Sequence, residues 1–217
     1  MTADYRAAKI IKIEPIEKFF FINWRLDIRC NFDCSYCSSE WHSLTAEQRS
    51  LEQFQSYWLK IYSKLTDLDK KIQISFTGGE LTFNKNFLPF VKWLRENYHD
   101  KIESIGLSTN GSANSDYYLE LIKYVDFISF STHSEFFNER KFFENVLACC
   151  RAVQNTAKTI HVNIMDEPWH RDRIELYSNF LSVNNINFSV NTINFTFGKD
   201  HRPPKLSNPF DFDNARI

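Results

Sequence analysis

The sequence predicts an α/β fold, specifically an open, partial (β/α)6 barrel with parallel strands inside and helices outside. Three observations carry that expectation. First, six strand-like runs, at 24–30, 72–77, 103–109, 126–132, 159–165 and 187–194, alternate with stretches of helical spacing. Such alternation implies parallel strands joined by right-handed crossovers. Second, the runs keep a strict parity. Trp24, Leu26 and Ile28, then Ile72, Ile74 and Phe76, Ile105 and Leu107, Ile128 and Phe130, Ile160, Val162 and Ile164, and Phe188 and Val190 share one face. Third, the other face is polar on strand after strand: Arg25, Asp27 and Arg29, Gln73, Ser75 and Thr77, Ser108, Ser129, Ser131 and His133, His161 and Asn163, Ser189 and Asn191. A doubly wound sheet buries both faces and reads as continuous apolar runs. A closed eight-stranded barrel fills its interior mainly with branched apolar side chains. An open barrel with a ligand-filled concave face fits the polar parity; an ordinary one-sided sheet facing water is the alternative.

The helices follow in order. The first is expected from Thr45 to about Leu65, with Thr45 and Gln48 spaced as a capping box and Leu51, Phe54, Trp58, Ile61, Tyr62 and Leu65 as its apolar stripe. The second follows Asn86, with Pro89 tolerated in the first turn. The third spans Ser115–Tyr124 and the fourth Asn138–Gln154, with Cys149 and Cys150 on its apolar stripe as small hydrophobes. The fifth starts near Pro168, a favoured first-turn residue. No repeat or low-complexity linker interrupts the 217 residues, so one domain is expected, with a core at about 22–196, a lead-in at 1–21 and a tail at 197–217. The tail, from Gly198 through Pro203, Pro204 and Pro209, reads as an extended strap or loose end.

Composition narrows the function classes. A hydrophobic share of 43% supplies a core for a chain of this length. The net charge of −1 gives no global positive field for bulk nucleic acid or an anionic membrane. Phe19–Ile22 is apolar but too short and too charged at its flanks for a signal sequence, and nothing approaches the roughly 20 apolar residues of a membrane span. Three of five cysteines fall within eight residues, a pattern of metal binding in a reducing, cytoplasmic setting rather than of a disulfide framework.

Those three make the most informative segment, Arg29-Cys30-Asn31-Phe32-Asp33-Cys34-Ser35-Tyr36-Cys37, directly after the first strand. Thiolates are the usual ligands of iron–sulfur clusters. Three of them can hold three irons of a cubane and leave the fourth without a protein ligand. The rival is a closed zinc site with His42 as fourth ligand, although such sites usually show paired spacing.

The C-x3-C-x2-C loop, with an aromatic just before its last cysteine, resembles the signature of the radical S-adenosylmethionine (SAM) superfamily. The resemblance extends from about Trp24 to Asn194 and implies a TIM-like partial barrel, a [4Fe–4S] cluster on Cys30, Cys34 and Cys37, and SAM as cofactor, with Tyr36 beside it. Thr77-Gly78-Gly79-Glu80 at the end of the second strand resembles the family's GGE motif, in which backbone and carboxylate position the SAM ammonium. Glycines permit close backbone approach, and an anionic Glu80 can accept from an ammonium. Leu81 stands where the family commonly carries proline. Leu107-Ser108-Thr109-Asn110-Gly111 is similar to the segment beside the SAM site, with Ser108 and Asn110 pointing inward; it is also an Asn-Gly turn leading into a helix. Ser129-Phe130-Ser131 resembles the ribose-binding strand, with Ser131 nearer the strand end, and Asn163 has the parity to flank adenine.

His133 and Glu135 follow the fourth strand, at the mouth where barrels build their active sites, and are the candidate substrate-contacting, catalytic residues. The structural reading of the same stretch is a helix N-terminus, with Ser134 or Asn138 as cap and Glu135 against the dipole. Arg25, Asp27 and Arg29 fit either an internal ion-pair ladder or an anion site. The resemblance implies an enzyme in which an electron from a donor such as flavodoxin or ferredoxin leads to SAM cleavage, giving a 5′-deoxyadenosyl radical that takes hydrogen from a substrate. No cysteine follows Cys150, so C-terminal auxiliary clusters are not expected. A small polar metabolite or nucleotide is the expected substrate. Modification of a peptide or protein, by an activase or ribosomal-peptide maturase, is the alternative within the family, and a non-catalytic zinc or iron–sulfur module the alternative outside it.

Overall fold

A computed structural model describes residues 19–38, 40, 42–65, 69–167, 171–193 and 209–215, with the backbone alone for Arg171 and Asp172. Its elements run β1 (Phe19–Asp27), α1 (Leu51–Tyr62), β2 (Lys71–Gly78), α2 (Phe87–Tyr98), β3 (Ile102–Thr109), α3 (Ser115–Leu121), β4 (Phe127–Thr132), α4 (Glu139–Val153), β5 (Thr159–Asp166), α5 (Arg171–Val183) and β6 (Asn187–Thr192). The six strands form one sheet in chain order, and every neighbouring pair is parallel. This is the expected α/β arrangement: an open sheet whose edges are β1 and β6.

Parity decides which face packs. Ile72, Ile74 and Phe76, Ile105 and Leu107, Ile128 and Phe130, and Ile160, Val162 and Ile164 are all buried. They meet Phe54 and Trp58 of α1, Phe87, Phe90, Val91 and Leu94 of α2, Tyr118 and Leu121 of α3, and Phe142, Phe143, Val146 and Leu147 of α4 in one apolar cluster. Burying each such side chain contributes about 1.5–3 kcal/mol. Trp24 is half-buried and packs on Trp58 and Phe76 with ring centroids 6.3 and 5.6 Å apart. Val190 departs from the pattern because β6 is an edge strand, and it stays exposed.

Several boundaries differ from the sequence expectation, each for a local reason. β1 starts at Phe19, inside the expected lead-in, because Phe19 to Phe21 pair with Lys71 to Gln73. It ends at Asp27, whose Oδ1 accepts from the backbone N–H groups of Ile28 and Arg29 and so turns the chain out of the sheet. α1 starts at Leu51 rather than near Thr45. The capping box is Ser50 with Gln53, whose side chain and backbone groups bond reciprocally. Gln48 instead donates to the Phe83 carbonyl, and Thr45 N–H donates to Ser43 Oγ. Asn138 caps α4 by accepting from Lys141 N–H at 3.0 Å. The expected start of α5 at Pro168, Asn194, and most of the tail lie outside the described residues. Within 209–215 the chain is docked: Phe210 and Phe212 pack on Phe143 and Phe180, and Phe210 N–H donates to buried Glu139.

Candidate active site

The cysteine loop leaves β1 and is held at its stem by backbone pairing. Cys30 N–H donates to the Ser43 carbonyl at 3.0 Å, Ser43 N–H to Ile28 at 2.7 Å, and Cys37 N–H to Cys34 at 3.1 Å. The end of β2 packs directly on this stem. Gly79 N–H donates to the Asp27 carbonyl at 2.9 Å and Glu80 N–H to the Arg29 carbonyl at 2.8 Å. A Cβ on Gly78 would stand 2.1 Å from the Asp27 carbonyl oxygen, and one on Gly79 2.3 Å from that of Arg29. The glycine pair therefore answers first to close approach of the protein's own backbone. Asp27 and Arg29 do not form the ladder considered from sequence. Asp27 accepts from Asn84 Nδ2, while Arg29 donates to the Ala46 carbonyl and lies over the Phe83 ring.

Loop and strand ends together line a cavity of about 440 Å3. Cys30, Cys34, Cys37, Tyr36, Gly78, Gly79, Glu80, Ser108, Asn110, Ser131 and His133 all face it. Glu135 and Asn163 do not line it. Asn163 has the expected parity but its amide is used within the sheet's polar face: Nδ2 donates to Ser129 Oγ at 2.7 Å, and Oδ1 accepts from Ser189 Oγ at 2.9 Å. Met165, one step nearer the strand end on the same face, lines the cavity instead.

Glu80 is buried, and burial pushes its carboxyl group up against the opposing pull of its hydrogen bonds. Oε1 accepts from Thr82 N–H and from the hydroxyls of Thr82 and Thr109, at 2.6–3.0 Å, and Oε2 accepts from Asn110 N–H. It ties the ends of β2 and β3 together while lining the cavity. Leu81 is fully buried at the start of a single 3-10 turn, Leu81–Phe83. Asn110 reaches the cysteine loop, donating to Asn31 Oδ1 at 3.0 Å, and Asn31 donates to Ser112 Oγ.

His133 stacks on Tyr36, ring centroids 5.9 Å apart, with Nδ1 2.7 Å from the phenol oxygen. The phenol also donates to Glu167 Oε1 at 3.0 Å. With Glu167 ionised, the phenol's one proton points to its carboxylate, and Nδ1–H of His133 donates to the phenol oxygen. Nε2 is then the accepting nitrogen. Burial pushes His133 down to about 4, which keeps the ring neutral at neutral pH. Glu135 turns from the mouth into the protein, accepting from both N–H and Oγ of Ser35. Neither Ser35 nor Glu167 was singled out from the sequence. Glu167 shares the inward parity of Asn163 and Met165, and that signal could have found it.

The donor set fits an iron–sulfur cluster. None of the three cysteines is in a disulfide, and all three line one cavity. Burial pushes Cys30 up to about 12 and raises Cys34 as well, so these thiols ionise only with positive charge against them. Cluster irons provide that charge. The zinc alternative loses its fourth ligand: His42 has both ring nitrogens engaged, Nδ1 with the Ser38 carbonyl and Nε2 with Asp33, each at 3.0 Å.

The model of the radical SAM superfamily matches residues 28–165. The GTP 3′,8-cyclase of Pasteurella multocida is 30% identical over 94 residues, which are 43% of this chain and 27% of the cyclase. The solved structure of anSMEcpe with bound AdoMet superposes with a TM-score of 0.58 at 15% identity, over 84% of this chain and 51% of that one. Streptococcus suis SuiB, bound to its precursor peptide SuiA, gives 0.55 at 17% identity, over 80% and 39%. At these identities the two structures show the fold. This chain thus spans about half the length of anSMEcpe and about a quarter of the cyclase. With the match covering the cysteine loop and the strands that surround it, the chain belongs to the radical SAM superfamily, enzymes that use a [4Fe–4S] cluster and SAM.

Proposed function

We propose that this chain cleaves SAM reductively and directs the resulting radical at a small polar substrate, of nucleotide or similar size. The observation that carries the reading is the convergence of Cys30, Cys34, Cys37, Glu80, Asn110, Ser131 and His133 on one cavity at the C-terminal ends of the strands. When bound, the cluster supplies the electron that breaks SAM into methionine and a 5′-deoxyadenosyl radical.

The chain's own groups have separable tasks. Cys30, Cys34 and Cys37 hold the cluster. Glu80 receives the SAM ammonium at the oxygen that accepts from the Asn110 N–H among the described residues, a charge-assisted contact of about 1.5–3 kcal/mol. Gly78 and Gly79 shape the adjoining backbone, Ser108 and Asn110 line the methionyl side, and Ser131 reaches the ribose. Tyr36 and His133 close the wall toward substrate, where the neutral imidazole accepts a hydrogen bond through Nε2. Asn163 supports Ser131 from below rather than touching adenine. Flavodoxin or ferredoxin is the proposed reductant. No helix among the described residues is long and apolar enough to cross a membrane.

A small substrate is favoured by two things. The concave surface of β4–β6 is a run of hydroxyls, amides and one imidazole: Ser129, Ser131, His161, Asn163, Ser189 and Asn191. The relative at 30% identity is named for a reaction of GTP. The test is untargeted comparison of small molecules incubated anaerobically with the reconstituted enzyme, SAM and reductant. A polar metabolite consumed in step with 5′-deoxyadenosine release supports the proposal. Release coupled only to added peptides would replace it with peptide modification.

A further inference from the structure

Two buried glutamates that the reaction scheme does not use meet at the back of the cysteine loop. Glu135 follows β4 and grips Ser35 with both carboxylate oxygens: Oε2 accepts from Ser35 N–H at 2.7 Å and Oε1 from Ser35 Oγ. Glu167 follows β5. It accepts from the Tyr36 phenol at 3.0 Å, from Ser134 N–H at 3.1 Å and from Ser134 Oγ. Because Ser134 and Glu135 are neighbours, the contacts close a ring from loop to β4 end to β5 end and back. Every member is nearly inaccessible: Ser35 0%, Tyr36 8%, Ser134 5%, Glu135 2% and Glu167 1% exposed. The two residues held, Ser35 and Tyr36, are the pair between Cys34 and Cys37.

We propose that Glu135 and Glu167 are positioning residues that clamp the cysteine loop onto the β4 and β5 ends and hold the cluster's reduction potential low through their charge. The clamp follows from geometry: the stem of the loop is fixed by β2 and Ser43, but its far limb between Cys34 and Cys37 is tied to the barrel through these carboxylates. The electrical effect follows from sign. Burial pushes the Glu167 carboxyl up while its hydrogen bonds from Ser134 and Tyr36 pull it down; adding an electron beside an ionised carboxylate in a poorly solvated site is disfavoured, so each ionised carboxylate makes the cluster harder to reduce. A lower potential gives the electron, once present, more driving force toward the SAM sulfonium. The inference rests on the reading that Cys30, Cys34 and Cys37 hold the cluster, and wild-type iron and sulfide content, measured first, reports on that reading separately.

The experiment compares anaerobically reconstituted wild type, Glu135→Gln, Glu167→Gln and Ser35→Ala, with Glu139→Gln as control. Glu139 is equally buried, but it binds Tyr177, Arg173 and Phe210 rather than the cysteine loop. The midpoint potential is read by redox titration followed by electron paramagnetic resonance, and loop hold by the rate at which a chelator strips iron. Both Gln variants near the loop should shift the potential to more positive values, while Glu139→Gln leaves it unmoved. Ser35→Ala, which keeps the charge and loses one hydrogen bond, should release iron several-fold faster at nearly wild-type potential. Unchanged potentials in both Gln variants, or an equal shift in Glu139→Gln, overturn the electrical role. An unchanged stripping rate in Ser35→Ala overturns the clamp, and it does so even where a Gln variant fails to fold.

Discussion

Replacing Gly79 by alanine tests how the GGE segment meets the cysteine loop. The new Cβ would stand 2.3 Å from the Arg29 carbonyl oxygen, 2.6 Å from its carbon and 2.7 Å from the Ile28 carbonyl oxygen, all rigid backbone. Contact at an unstrained 3.5 Å requires the stem to retreat by about an ångström. That movement strains packing, at about 1–3 kcal/mol. It also pulls apart the bonds from Gly79 N–H to Asp27 and from Glu80 N–H to Arg29, worth about 1 kcal/mol each. The sum is about 3–5 kcal/mol, a large part of the 5–15 kcal/mol by which domains are typically stable. The melting temperature of iron-free protein should therefore fall by about 10 °C. Iron retained after reconstitution should fall with it, because the displaced stem carries Cys30. Gly106→Ala is the control: its nearest neighbour is the Phe127 ring edge at 3.3 Å, and it should cost far less. If Gly79→Ala melts like wild type, holds full iron and weakens only SAM binding, the glycine serves the ligand and the packing argument is wrong.

Four other outcomes follow from the same geometry. Cys30→Ala, Cys34→Ala and Cys37→Ala should each lose the iron and sulfide measured in wild type, whereas Cys149→Ala and Cys150→Ala keep them. Glu80→Ala should lower the melting temperature before SAM is added, since it strands the N–H groups of Thr82 and Asn110; Glu80→Gln should fold and show the weaker SAM affinity by titration. His133→Ala should keep cluster and SAM binding, continue slow abortive release of 5′-deoxyadenosine, and lose turnover of substrate; equal turnover per folded molecule would make the residue structural. The fourth concerns pH. The folded chain holds His133 near 4 against 6.5 when unfolded, so protons favour the unfolded chain as pH falls through that window. Urea unfolding of iron-free protein should lose about 3 kcal/mol between pH 7 and 4 from this group, and His133→Gln should lack that part of the slope.

The cysteine spacing, the strand parity and the strand-end motifs were legible because each is a local pattern with a fixed geometric meaning. Ser129, Ser131 and His133 alternate on one face, and one face is what the strand delivers. Depth along a strand is a different quantity. Asn163 and Met165 share a parity, and the register that sets Asn163 opposite Ser131 is fixed by pairing between distant segments. The first helix shows the same limit. Thr45-x-x-Gln48 and Ser50-x-x-Gln53 both satisfy a capping box, and the contact of Gln48 with the Phe83 carbonyl decides between them. Glu135 read as a mouth residue because its target, Ser35, lies 100 residues away in the chain.

The most direct test of the central claim is the yield of 5′-deoxyadenosine from anaerobically reconstituted protein given SAM and a strong reductant, compared with Cys34→Ala treated identically. Steady release that depends on the cluster is expected from the wild type, and none from the variant. Wild-type protein carrying a full complement of iron and sulfide, binding SAM and releasing no 5′-deoxyadenosine would contradict it.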